Sequence, residues 1–150
     1  MIRSAIWEVL EAATRLMPTL DARAAPAGAD RLNLGCGQHA LPGWYNLDNS
    51  PSAWLAKRRR LRMLLRRLGL LTPEQLAQQW PPNVVIHDAR RGLPLPDGSM
   101  RYVYSSHFLE HLFRDEARFV LRECYRVLAA GGLIRVVVPD LALLAKRYLV

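Results

Sequence analysis

Cysteine is scarce in this 150-residue chain: Cys36 and Cys124 are the only two, too few for a disulfide framework or a cysteine-rich metal site. Both are expected to stay reduced in a cytoplasm. No apolar run reaches the ~18 residues of a membrane span. Glu8 and Glu11 interrupt the N-terminal apolar stretch, so no secretory leader is read there, and a cytoplasmic location is expected. Acids are also few, 13 against 21 Lys and Arg, for a formal charge of +8. The surplus is local: KRRRLRMLLRR, Lys57 to Arg67, holds seven bases and no acid. The rest of the chain is nearly neutral, so no general nucleic-acid-binding surface is implied.

What is present is a globular composition, 51% hydrophobic and 23% charged, with length for one buried core. Residues 1–150 are therefore expected to form a single domain. Ile2, Ala5, Ile6, Val9, Leu10, Ala13, Leu16 and Met17 recur at helical spacing, and a small-residue linker follows up to residue 30. Five short apolar segments then read as strands: 31–35, 45–48, 84–88, 100–106 and 133–140. Between the second and third, Leu61, Leu64, Leu65, Leu68 and Leu71 form a stripe beside the arginines. Thr72-Pro73-Glu74-Gln75 predicts a capped helix start, ended by Pro81-Pro82. Between the fourth and fifth, Asp115 is a candidate cap for a helix with Ala117, Val120, Leu121, Cys124 and Leu128 on one face. Gly131-Gly132 is the expected stop. Strands alternating with helices predict an open parallel α/β sheet.

GCGQHA at 35–40 fits the dinucleotide fingerprint G-x-G-x-x-G/A. That motif must open a helix whose N-terminus holds a pyrophosphate. Pro42-Gly43 arrives too soon for a sizeable helix, and Asp48 comes too early for the usual ribose-binding acid. A cofactor without phosphate, such as S-adenosylmethionine, asks instead for close backbone approach, which Gly35 and Gly37 allow. It also needs an acceptor for ribose hydroxyls, which Asp48 supplies. The competing reading is a tight strand-exit turn with no ligand.

In order, LNLGCG, GWYNLD, HDARRGLPLPDGS, YSSHFLEHL and LRECYRVLAAGGLIRVVVPD resemble the class I S-adenosylmethionine-dependent methyltransferases, in particular the type-11 group, over residues 31–140. The resemblance implies an α/β, Rossmann-like sheet with parallel strands in order 3-2-1-4-5 and flanking helices. It places Gly35, Cys36 and Gly37 under S-adenosyl-L-methionine, Asn33 where relatives commonly have an acid, and Asp48 at the ribose. It places Asp88 at the adenine amino group and Ala89 along the ring through its backbone. Ser105, Ser106 and His107 fall beside the methionine and the substrate. Three departures stand out. His39 replaces the third glycine, the helix between the first two strands is missing, and Arg101 stands where an acid is common. The family sheet has seven strands and this sequence carries five. Residues 141–150 start one more helix, so strand five is expected to expose an edge that self-associates.

His107-Phe108-Leu109-Glu110-His111 also spells H-x-x-E-H, an inverted zinc-protease signature. On a helix both histidines would share a face. Directly after a strand end, however, His107 is expected to face the active site while Glu110 and His111 anchor the next helix; no metal is expected. Histidine and an aspartate at a strand end suit proton removal from an acceptor, which makes His107 and Asp140 the catalytic candidates. A structural histidine and a loop-capping aspartate are the competing readings. The basic 57–67 helix is read as a solvated cover over the core, with weak contact to an anionic membrane surface as the sharper reading. An RNA surface is disfavoured by its few aromatics. The expected function is methyl transfer to a small molecule, a sugar or glycan precursor by family association. The alternative is a non-catalytic cofactor-binding or scaffold module.

Overall fold

The computed structural model describes residues 28–149, with Val9, Ala12 and Ala25. The expected helix over 2–17 and its linker fall almost wholly outside the described residues. Five strands form one sheet: β1 (Arg31–Leu34), β2 (Tyr45–Asp48), β3 (Val84–Ile86), β4 (Met100–Ser106) and β5 (Leu128–Val137). All neighbours pair in parallel, in the order β3-β2-β1-β4-β5. β1 and β2 are buried along nearly their whole length, as central strands of a parallel sheet with both faces covered must be.

The helices are α1 (Pro51–Ala56), α2 (Arg59–Arg67), α3 (Pro73–Ala77), α4 (Arg114–Val127) and α5 (Leu141–Tyr148). Short 3-10 turns cover Ala89–Arg91 and Leu109–His111. A first core joins Leu32, Leu47 and Val103 of the sheet to Val120, Cys124 and Val127 of α4. A second packs Trp54, Leu55 and Leu71 against Val84 and Ile86 at the β3 side. No helix among the described residues is long and apolar enough to cross a membrane.

The crossover from β1 to β2 has only ten residues, 35–44, and no helix, where parallel strands usually need a dozen or more. Two buried amides on register-paired positions, Asn33 and Asn46, hold it. Asn46 Oδ1 accepts from Leu41 N at 2.9 Å and from Asn33 Nδ2 at 3.0 Å. Asn46 Nδ2 donates to the carbonyls of Leu41 and Trp44, both at 2.9 Å, and Asn33 Nδ2 donates to His39 O at 3.1 Å. These side chains satisfy backbone groups that a helix would satisfy internally.

Several boundaries differ from expectation. α4 ends at Val127, not at Gly131-Gly132, and β5 starts at Leu128. Gly98 N donates to Arg126 O at 2.9 Å, and the Arg126 guanidinium grips Leu93 O and Leu95 O, both at 2.9 Å. The helix end is thus tied to the 93–98 loop. The two glycines instead form a bulge within β5: Met100 pairs with Leu128, but Tyr102 pairs with Leu133. Gly131 takes a φ of 75° there. Val138, Pro139 and Asp140 fall beyond the strand. Asp115 is not the cap of α4. It sits in the first turn, beside Glu116, whose carboxylate accepts from Phe113 N at 2.9 Å. Leu121 is exposed, and Val127 takes the buried place expected of its neighbours.

α1 was not foreseen, although Ser50 caps it and Pro51 opens it, a readable helix-start pair. It breaks the basic segment at Lys57-Arg58. Arg58 stacks on the Trp54 ring at 3.4 Å. Arg62 donates to Leu76 O at 2.7 Å and to Gln78 O at 3.2 Å, closing the end of α3. That helix has the expected capping box, Thr72 with Gln75, but stops at Ala77, before the prolines. Leu61 and Leu65 pack on the core, whereas Leu64 and Leu68 stay 52% and 60% exposed.

Candidate functional site

The carboxyl ends of β1, β2, β3 and β4 open on one cleft of about 390 Å³. That is where open α/β sheets bind ligands, and the volume is in the range of small-molecule pockets. Gly35 and Gly37 leave β1 with φ of 66° and 55°, in the left-handed region that disfavours side chains. Their surroundings differ. A Cβ on Gly35 would lie 2.6 Å from the Phe108 side chain, whereas one on Gly37 would meet nothing within 4 Å. Phe108 therefore packs on Gly35, and Gly37 borders open cleft.

Asp48 closes β2 and braces this loop. Its Oδ2 accepts from Gly37 N at 2.8 Å and its Oδ1 from Ser50 N at 2.7 Å. A carboxylate has about four lone-pair sites, so further donors can still be met. Asp88, two residues beyond β3, caps the 3-10 turn through Arg90 N at 3.0 Å. Arg90 also clasps it with both arms of its guanidinium, Nε to Oδ1 at 2.7 Å and Nη2 to Oδ2 at 2.6 Å. Burial pushes the Asp88 carboxyl up, but the Arg90 hydrogen bonds and the charges of Arg90 and Arg91 outweigh it. The carboxyl is held below the usual aspartate value.

After β4 the chain turns sharply at His107, which has a φ of 53° and is alone among the described non-glycine residues in having a positive φ. Its N–H donates to Val137 O at 3.0 Å, and its Nδ1 lies 3.1 Å from Glu110 Oε1. Such left-handed non-glycine positions carry strain and cluster at functional sites. The turn after it is a short 3-10 turn over Leu109–His111, so His107 and His111 do not share the α-helical face that the inverted zinc-protease signature requires. Glu110 and His111 also stop short of α4, whose start Glu116 secures. Among the described residues no group of three or more His, Cys, Asp or Glu is placed to hold a metal.

The methyltransferase-domain family of type 11 matches residues 32–136, nearly all of β1, all of β2 to β4 and nearly all of β5. The chain belongs to this family. A probable S-adenosylmethionine-dependent methyltransferase of Mycolicibacterium smegmatis is 32% identical over 118 residues, 76% of this chain and 39% of that protein. A probable S-adenosylmethionine-dependent methyltransferase of Mycobacterium tuberculosis is 52% identical over 48 residues, 32% of this chain and 17% of that protein. The chain thus spans less than half the length of these curated relatives. The crystal structure of the PH0226 protein from Pyrococcus horikoshii shares the fold, with a TM-score of 0.52 at 21% identity over 97% of this chain and 58% of that one.

Within this methyltransferase domain the cleft gathers Gly35, Gly37, Asp48, Asp88, Ala89 and His107. Asn33, Cys36, Ser105, Ser106 and Asp140 are not among its lining residues. Asn33 staples the crossover. Cys36 sits in the second core, where burial first and the Asp48 charge second push its thiol up to about 12. Ser105 is buried in β4, its Oγ without a hydrogen-bond partner. Asp140 is exposed and caps α5, accepting from Leu143 N at 3.0 Å. Sequence reasoning passed over Arg90 and Phe108. Arg90 lay in plain view two residues after an acid, but its pairing needs the 3-10 turn to bend the chain back.

Proposed function

We propose that this chain forms the cofactor-binding part of an S-adenosylmethionine-dependent methyltransferase acting on a small-molecule acceptor. The observation that carries the reading is the placement of two carboxylates, Asp48 and Asp88, at the ends of adjacent strands around the side-chain-free surface of Gly37. The α1 N-terminus at Ser50 and Pro51 and the Arg90 guanidinium also border the cleft, but Arg90 is already paired with Asp88, and two carboxylates would repel a phosphate. Asp48, with lone pairs left after bracing Gly37 and Ser50, takes the ribose hydroxyls. Asp88 takes the adenine amino group, and the Ala89 backbone lies along the ring. Gly35 and Gly37 let the cofactor approach the main chain, with Asn33 and Cys36 supporting the loop from behind. Ser105 and Ser106 lead β4 to the methionine end.

When bound, the cofactor supplies an electrophilic sulfonium methyl carbon. His107 stands on the acceptor side. The Glu110 carboxylate accepts from Nδ1–H, which leaves Nε2 as the basic nitrogen to take the acceptor's proton. Asp140 already caps a helix outside the cleft, so the acceptor side is assigned to His107 alone. The acceptor class we favour is a sugar or glycan precursor, on family association. Weak attachment to an anionic membrane surface would run through α2 and its C-cap Leu68, where Leu64 and Leu68 stay exposed beside Arg60 and Arg67.

Calorimetry with S-adenosylhomocysteine tests the site directly. Saturable 1:1 binding supports the reading, and no heat from a folded chain at millimolar ligand overturns it.

A further inference from the structure

Arg90 belongs to neither the glycine loop nor the acceptor side, yet its guanidinium is bonded to the carboxylate at the β3 exit through two nitrogens. Its Nη1 reaches on to Glu116 Oε1 at 3.7 Å, and Glu116 is fixed at the start of α4 by its bond to Phe113 N. A chain of charges thus runs from the α4 N-terminus through Arg90 to Asp88. A planar fork on a carboxylate fixes orientation as well as charge.

The acceptor sites can be counted. Oδ1 takes two N–H groups, the Arg90 backbone and its Nε. Oδ2 takes one, Nη2. One lone pair therefore remains, on Oδ2 of a carboxylate that lines the cleft.

We propose that Arg90 is a positioning residue that sets purine specificity, by holding Asp88 as a fixed, acceptor-only carboxylate with one lone pair left for a 6-amino group. The proposal rests on the cofactor reading above. A 6-aminopurine offers an N–H donor to that lone pair. A 6-oxopurine offers an oxygen, so two acceptors would face each other at a buried carboxylate, and such a ligand is rejected. Without Arg90 the carboxyl is free to turn, so no acceptor is held fixed at purine position 6 and the two purines are told apart less well.

The test compares S-adenosylhomocysteine with S-inosylhomocysteine, which differ at purine position 6, by calorimetry on the wild type, Arg90→Met and Arg90→Lys. The wild type should prefer the adenosyl ligand by about 100-fold or more. Arg90→Met should cut that ratio by about tenfold or more, and Arg90→Lys by about threefold or more, since lysine keeps the charge but not the fork. A general loosening of the cleft would weaken both ligands alike and leave the ratio unchanged. An unchanged ratio in either folded variant overturns the role of Arg90. If the wild type binds neither ligand, the cofactor reading fails instead.

Discussion

Replacing Asp48 separates two duties of one carboxylate. In the structure it braces the cleft wall, through Gly37 N at 2.8 Å and Ser50 N at 2.7 Å. In the proposed function it also accepts from the ribose. Losing an ionised acceptor to hydroxyls costs about 1–3 kcal/mol after exchange with water, which is roughly a 5- to 150-fold rise in the Kd for S-adenosylhomocysteine. Losing the brace costs stability, about 0.5–1.5 kcal/mol for each of the two N–H groups returned to water. Asp48→Ala should therefore weaken both binding and folding.

Those losses are told apart by a second perturbation, on the ligand. A 2′-deoxy analogue lacks one ribose hydroxyl but asks the same of the loop. If Asp48 touches the ribose, the wild type should bind this analogue several-fold more weakly than the parent, while Asp48→Ala should hardly distinguish the two. The coupling in such a cycle should be about 1 kcal/mol or more. A coupling near zero, with folding still impaired, would make Asp48 a brace only and remove it from the cofactor site.

Gly35→Ala should lower stability by about 2–4 kcal/mol in urea unfolding, from left-handed strain plus the clash with Phe108, and Gly37→Ala by about 1–2 kcal/mol from strain alone; equal losses would show that Phe108 does not pack as described. His107→Gly should relieve its positive φ and gain roughly 0.5 kcal/mol in thermal unfolding, while turnover with an identified acceptor falls more than S-adenosylhomocysteine affinity; a destabilised variant would refute the strain. The Arg126 hydrogen bond, opposed by burial and helped by the Leu93 N–H and the Arg126 charge, holds the Glu123 carboxyl below its usual value. A depressed folded pKa stabilises above the unfolded value and is lost as pH falls through the folded one. Glu123→Gln should thus cost about 1–2 kcal/mol at pH 7, and the gap to wild type should close below about pH 4; a gap independent of pH would remove the ion pair as its cause. β5 presents Ile134 and Val136 exposed on an outer strand, so sedimentation should show self-association that Val136→Lys reduces; a wild-type monomer at all concentrations would count against that edge.

The sequence made the sheet legible because period and position agreed. Tyr45–Asp48 and Met100–Ser106 carry both β-forming residues and turn signals at their ends, and their observed bounds match. Thr72 and Gln75 announced α3 because a capping box is local chemistry that needs no tertiary partner. The α4–β5 junction was not legible. Gly131-Gly132 looks like a helix stop, but the helix had already been ended by the grip of Arg126 on residues 93–97, some thirty residues away in sequence. The same holds at the site. Gly37, Asp48 and Asp88 stand at strand ends, where a rule about open sheets finds them. Phe108 acts through a contact with Gly35 that no spacing encodes, and Arg90 through a return to Asp88 that needs the 3-10 turn.

Asn33 shows how one residue can suit two readings that only geometry separates. By motif it falls where relatives commonly place an acid near the cofactor. Here it pairs across the strand with Asn46, and the two amides take up the backbone of a ten-residue crossover. An aspartate at position 33 would lack the N–H groups that now meet His39 O and Asn46 Oδ1, and would bring a buried charge against both oxygens. The shortened loop and the asparagine therefore belong together: without a helix between β1 and β2, the strand needs a donor at this point rather than an acid. Gly35 and Gly37 are then presented to the cleft by a crossover whose shape is held from beneath by Asn33 and Asn46, and from the next strand end by Asp48.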